Sequence, residues 1–292
     1  MAGILITGAN GVVGYPLRER LIRERVNYCS VSRRPTDVVD KNIVQWDLHL
    51  QIDDQVREQL LVAKLDTLIH CAPIWLLPNH LENLISLGIR RIVAFSSSSV
   101  ISKQKSKDNS ENQLVQQLIE GEEALKHICS DHNIAFTIFR PSMIYGYGRD
   151  QNVSHIANFI KKYGFMILVG QATGLRQPVH ADDLVDASMT VLNESNTYNQ
   201  TYHLAGAQVL SYRAMVEAIF VALQKRPKII SLPLPIFRLA LKMAALFGRF
   251  SYTAEMADRM NSDLNYENSD AENDFSYAPQ AFLSEPSRDR LY

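Results

Sequence analysis

The residues best suited to chemistry in this 292-residue chain begin with three glycines, in Thr7-Gly8-Ala9-Asn10-Gly11-Val12-Val13-Gly14. The GxxGxxG spacing suits a pyrophosphate. Gly8 allows a tight turn, Gly11 lets backbone N–H groups approach the anion, and Gly14 lets helix and strand pack closely. A helix starting there adds partial positive charge to the same spot. The motif sits at the first strand–helix junction, ahead of a βαβ series, which makes it far more specific than a bare glycine pattern.

The next strand-like run ends at Ser32-Arg33-Arg34. A site for NAD usually places an acid here to hold the ribose 2′-hydroxyl. No acid appears before Asp37, beyond a proline. Two arginines instead suit a 2′-phosphate, so NADP(H) is favoured over NAD(H). Asp47, followed by Leu48, is a candidate acceptor for the adenine amino group or a helix-capping or turn residue. The serine run 96–99 supplies hydroxyls after another strand. The eight histidines show no metal-ligand spacing, so no metal is expected.

These side chains need a scaffold. Short apolar runs at 3–7, 26–32, 43–46, 66–71, 91–96 and 134–139 alternate with helical stretches at 12–26, 53–64, 78–88 and 111–131. That alternation predicts an α/β fold, a Rossmann-type doubly wound parallel sheet. Ligands of such sheets sit at the strands' C-terminal edge. Residues 1–150 plus 176–205 are expected to form the dinucleotide-binding domain, and 151–175 plus 206–292 a small substrate lobe. The tail from 261, polar and acidic, reads as a surface wrap.

Composition narrows the field further. Thirty basic and 31 acidic side chains leave a net charge of −1, which argues against a general nucleic-acid binder. Three scattered cysteines, Cys29, Cys71 and Cys129, suit a reducing compartment, and the N-terminus does not read as a signal peptide; a cytoplasmic location is expected. Residues 229–250 are apolar but broken by Pro233, Pro235, Arg238 and Lys242, too broken for a spanning helix. For 236–250, packing within the lobe is favoured over peripheral membrane contact.

Together these motifs resemble the extended and atypical short-chain dehydrogenase/reductases, the NAD-dependent epimerase/dehydratase-like family. The resemblance runs through His70-Cys71-Ala72-Pro73, Phe95-Ser96-Ser97-Ser98-Ser99-Val100, Arg140-Pro141-Ser142-Met143-Ile144-Tyr145-Gly146 and Pro178-Val179-His180-Ala181-Asp182-Asp183. It implies that Cys71, Ala72 and Pro73 wall the cofactor, with Pro141 and Met143 also beside it. It implies Ser97 as the catalytic serine near the nicotinamide, with Ser98 the neighbouring candidate. Arg176 and Tyr145 become substrate-side residues, Arg176 for a diphosphate. Relatives commonly pair through helices in the positions of 78–88 and 111–131, so a homodimer is an expectation of the resemblance.

One part of the family pattern is missing. Its Tyr-x-x-x-Lys pair falls on Leu114 and Leu118, and no tyrosine lies between Tyr28 and Tyr145. Leucine has no proton to exchange, and losing a positioned acid/base removes about 10²–10⁴-fold in rate. Lys103, Lys105, Tyr145 and His180 are weighed as substitutes, each more readily read as structural or solvated. Two readings stay open. One is an oxidoreductase or epimerase acting on a nucleotide-linked or related sugar with altered acid/base groups. The other is a catalytically silent NADPH-binding structural, redox-sensing or assembly protein, resembling the accessory subunit of respiratory complex I.

Overall fold

The computed structural model describes residues 3–33, 42–102, 109–237 and 260–285. The chain divides into two units, Met1–Pro141 with Ala181–Leu204 and Glu267–Ala278, and Ser142–His180 with Ala205–Tyr266 and Pro279–Tyr292. The first opens with β1 (Gly3–Thr7), α1 (Gly14–Glu24), β2 (Tyr28–Ser32), β3 (Ile43–Gln45), α2 (Asp54–Ala63) and β4 (Leu65–His70). It continues with α3 (Pro78–Ser86), β5 (Arg91–Phe95), α4 (Ser99–Ser102), α5 (Asn109–Asp131) and β6 (Ala135–Pro141). The second unit supplies β7 (Ile144–Tyr145), α6 (Val153–Tyr163), β8 (Met166–Val169), β9 (Leu175–Arg176) and β10 (Val179–His180). The chain returns to the first unit for α7 (Ala181–Thr190) and β11 (Gln200–Leu204). Then β12 (Leu210–Ser211), α8 (Tyr212–Ala222) and β13 (Ile229–Leu232) belong to the second, and α9 (Ser269–Phe275) to the first.

In the first unit, seven parallel strands lie in the order β11-β6-β5-β4-β1-β2-β3, the Rossmann-type sheet expected. All five residues of β1 are buried, as a central strand covered on both faces requires. Helix α1 buries Leu17 and Leu21 one turn apart. Asp53 caps α2 by accepting from Val56 N at 2.8 Å. Helix α5 turns Val115, Leu118, Glu122, Leu125 and Cys129 inward at three- and four-residue spacing. Gly121 belongs to this seam, because a Cβ there would lie 2.9 Å from the Trp75 backbone.

The tail departs from the expected surface wrap. It contains α9, which buries Ala271 and Phe275, and Phe275 packs on Tyr202 with ring centroids 5.2 Å apart. Tyr202 Oη donates to Asp274 at 2.6 Å. An acidic sequence hides a helix whose two apolar residues, four apart, share one face.

The second unit pairs β8 with β13 in parallel and β9 with β12 antiparallel. Its core gathers Ile160, Leu168, Met215, Ile219 and Phe220. Of the segment 236–250, residues 238–250 lie outside the described residues. Among the described residues, no helix is long and apolar enough to cross a membrane.

Candidate functional site

The loops after β1, β2, β3, β4 and β5 all leave the C-terminal edge of the first unit's sheet. They carry most of the expected cofactor residues. Gly8 sits at φ +71°, and a Cβ there would lie 2.6 Å from Ala72 N. At Gly14 a Cβ would approach Gly8 O to 2.2 Å. The turn therefore folds tightly on itself and on the Cys71–Ala72 backbone. Gly11 is different: it is exposed, and the nearest atom to an added Cβ is Gly8 O at 3.1 Å. Gly11 lies at the surface of the turn and carries no side chain to hold a pyrophosphate away, so the turn fits a dinucleotide. Val12 is half-buried, and buried Val13 precedes the first residue of α1.

Two side-chain contacts tie this turn to neighbouring strands. Asn10 Nδ2 donates to Ser32 Oγ at 3.2 Å, linking the turn to the end of β2. Thr7 Oγ1 lies 2.7 Å from His70 Nδ1, and His70 Nε2 lies 3.1 Å from Pro73 O. A carbonyl only accepts, so neutral His70 carries its proton on Nε2 and accepts from the Thr7 hydroxyl at Nδ1. Burial pushes the His70 pKa down to about 4. A neutral imidazole thus bolts β1, β4 and the 71–73 loop together. Sequence reasoning quoted His70 only as part of a motif and missed this role.

Arg33 is exposed at the end of β2, while Arg34 lies outside the described residues. Asp47 is half-buried and accepts from His49 N at 3.0 Å, an Asx turn. Leu48 is buried, and its carbonyl lies 2.8 Å from His80 Nε2. Pro141 is buried at the end of β6.

The serine run separates into three tasks. Ser96 Oγ donates to Glu122 at 2.5 Å. Ser98 is buried, its hydroxyl within 2.9 Å of both the Arg140 and Pro141 carbonyls. Ser97 is half-buried, accepts from Ser99 N at 3.1 Å and lies at the start of α4. Of the two serines weighed for catalysis, Ser98 is sealed inside and Ser97 is the more accessible.

Residues 114, 118 and 122 of α5 share one helical face. Leu118 is 4% exposed within the hydrophobic core, and Leu114 packs against the same cluster. One turn on, buried Glu122 accepts from Arg140 Nε at 3.0 Å, and its other oxygen pairs with Arg140 Nη2. His203 lies close enough to feel both charges. Burial lowers its pKa first and Arg140 lowers it further, while Glu122 pulls the other way. The sequence held a signal for this network: an acid on the same face as two core leucines needs a buried partner. Lys103 and Lys105, weighed as substitutes, lie outside the described residues.

The remaining expected residues lie in the second unit. Arg176 is 3% exposed; its Nη1 donates to Leu175 O at 2.6 Å and Ser262 O at 2.8 Å, and its guanidinium lies over the Tyr212 ring. Tyr145 is 1% exposed, accepts from Leu283 N at 3.0 Å and packs edge-on against His180 and Phe282. Met143 is half-buried, and its carbonyl accepts from Val179 N. Arg176 and Tyr145 are thus bound into their own unit's fold. Among the described residues no group of three or more His, Cys, Asp or Glu could hold a metal ion.

Comparisons with known proteins agree with this geometry. A 101-residue stretch is 32% identical to the Arabidopsis thaliana mitochondrial NADH dehydrogenase [ubiquinone] 1 alpha subcomplex subunit 9, covering 34% of this chain and 25% of that protein. A longer match, 25% identical over 217 residues, is to UDP-glucose 4-epimerase of Vibrio cholerae, covering 71% of this chain and 64% of that one. The chain thus spans a quarter and just under two thirds of these relatives' lengths. Among solved structures, UDP-glucuronic acid 4-epimerase from Bacillus cereus, in complex with UDP-glucuronic acid and NAD, superposes with a TM-score of 0.73 at 15% identity, covering 99% of this chain and 100% of that one. The family model described as NAD dependent epimerase/dehydratase family matches residues 4–205. With the sheet order and the glycine turn in accord with that match, the chain belongs to the NAD-dependent epimerase/dehydratase family.

Proposed function

We propose that this member of the family binds NADP(H) and holds it without turning over a sugar substrate, as a structural or redox-sensing element. The observation that carries the reading is Leu118, packed into the hydrophobic core where the family register calls for lysine. Leu114 joins the same cluster, so the family's acid/base position is apolar. On the binding side, Gly8, Gly11 and Gly14 would hold the pyrophosphate. The Asn10–Ser32 contact would steady the ribose end, and Arg33 would meet the 2′-phosphate. The preference for NADP(H) rests on Arg33 and on the lack of an acid at that strand end, whereas the Bacillus cereus relative carries NAD. The similarity over 101 residues to a subunit of an NADH dehydrogenase supports a place as a component of an assembly.

A second reading, an epimerase or oxidoreductase acting on a nucleotide-linked sugar, is favoured by one feature. Ser97 is only half-buried at the sheet's C-terminal edge, whereas Ser98 is buried. In that reading Ser97 is catalytic and the acid/base comes from elsewhere.

One experiment separates the two. NADPH and NADH are titrated against the chain by nicotinamide fluorescence, and UDP-glucose and UDP-glucuronate are then offered as substrates with NADP+ or NAD+, the forms that can take hydride from a sugar. The proposal expects tight NADPH binding and no conversion. Steady conversion by the wild type establishes the second reading instead. Leu114→Tyr/Leu118→Lys is run beside it with a thermal melt, because a lysine in the core costs stability. Conversion gained by the double variant marks the chain as a decayed enzyme.

A further inference from the structure

The second unit carries a surface that cofactor binding does not use. Helices α6 and α8 end side by side, with Lys225 Nζ 3.4 Å from Lys161 O and β13 running parallel to β8 next to them. Lys161, Lys162, Lys225, Arg226 and Lys228 are all exposed at this end. Apolar side chains are exposed among them: Tyr163 is 50% exposed, Val221 68% and Ile230 48%. Tyr163 stacks near Phe159 and Phe165, with centroids 4.7 and 6.4 Å away, and Lys162 Nζ lies 4.9 Å from the centre of its ring.

The charge is strongly one-sided. Residues 153–169 and 212–237 hold six lysines and arginines against one acid, Glu217, in a chain whose net charge is only −1. Helix C-termini favour cations, which accounts for Lys161 and Lys162 in the last turn of α6. It does not account for Lys228 at the start of a strand, nor for Val221, Tyr163 and Ile230 facing water. In sequence, 238–249 continues the trend with Arg238, Lys242 and Arg249, no acid, and mostly apolar residues between them.

We propose that this end of the second unit docks on an anionic membrane surface, its cations facing lipid phosphates and its exposed apolar side chains entering the headgroup layer. Cations alone would suit any polyanion. Cations interleaved with exposed aromatic and aliphatic groups suit the lipid boundary, where both find partners.

The test is co-sedimentation of the full chain with phosphatidylcholine vesicles, with phosphatidylcholine–phosphatidylglycerol vesicles, and retention on heparin. The wild type is expected to sediment with the anionic vesicles and not with the neutral ones. Lys161→Gln/Lys162→Gln/Lys225→Gln should weaken that binding roughly 100-fold, about five-fold per charge. Tyr163→Ser/Ile230→Ser should weaken it about tenfold at physiological salt and leave heparin retention unchanged. Arg23→Gln/Lys126→Gln, which removes two cations from the first unit, should bind as the wild type does. A thermal melt of each variant establishes that it is folded. The proposal is overturned if the wild type ignores anionic vesicles, or if the folded charge variant binds as well as the wild type. It is equally overturned if the serine variant keeps full vesicle binding, since the patch would then be a site for polyanions at large.

Discussion

The β1–α1 turn and the 114–122 face of α5 belong to the same unit, yet they are built on opposite principles. The turn is built from approaches that only glycine tolerates, with Gly8 and Gly14 pressed against backbone and Gly11 exposed at its surface. The α5 face buries Leu118 in the apolar core with Leu114 packed against it, then buries a fully partnered carboxylate at 122. Holding a dinucleotide and moving its hydride call on different residues, so one can persist where the other is lost.

Four measurements sharpen that contrast. The largest effect is expected at Arg140, whose removal strands the Glu122 carboxylate, 1% exposed, in the core. Arg140→Ala should cost about 3–5 kcal/mol in urea unfolding. Glu122→Ala should cost less, because the Arg140 side chain keeps 20% of its surface in water. Equal losses would mean the two charges are not buried to different degrees.

On the turn, Gly14→Ala forces a methyl to within 2.2 Å of Gly8 O. It should lower stability by about 3 kcal/mol and reduce NADPH affinity at least tenfold. An alanine variant that binds NADPH normally would remove the turn from the site.

The pH dependence comes next. His70 has a folded pKa of about 4, below the ordinary 6.5, so the folded state refuses a proton that the unfolded chain takes up. Its stability is complete above pH ~6.5 and falls as the pH drops toward 4, by on the order of 3 kcal/mol in all. His70→Gln keeps a donor and an acceptor without titrating, and should flatten that part of the profile. Identical acid profiles for variant and wild type would contradict a neutral, buried His70.

The smallest effect belongs to Arg33. Arg33→Ala should cut the preference for NADPH over NADH about tenfold, read by paired fluorescence titrations. An unchanged ratio would detach this arginine from the 2′-phosphate.

Much of this was legible in the sequence because the information was local. Residues 3–14 contain both the buried strand and the glycine spacing, and the alternation of apolar runs and helices was enough for the parallel sheet. What sequence reading left open depends on distant partners. Ser97 and Ser98 look interchangeable until the β6 carbonyls claim the Ser98 hydroxyl. Arg176 reads as a candidate for a substrate diphosphate, yet the carbonyl of Ser262, 86 residues on, holds it. The Ala271 and Phe275 face of α9 was masked by the acids around it. Glu122 lies on an otherwise ordinary helix in the sequence, and only the fold brings Arg140 and Ser96 to it.

The central claim is that the turn holds the dinucleotide while the α5 face leaves it chemically idle. Its most direct test is to saturate the chain with NADP+, add UDP-glucose or UDP-glucuronate in excess, and follow both bound nicotinamide absorbance and sugar composition over hours. The account predicts a saturable complex whose absorbance and sugars stay unchanged. Steady reduction of the nicotinamide or epimerisation of the sugar by the wild-type chain, or failure to form the complex at all, would contradict it.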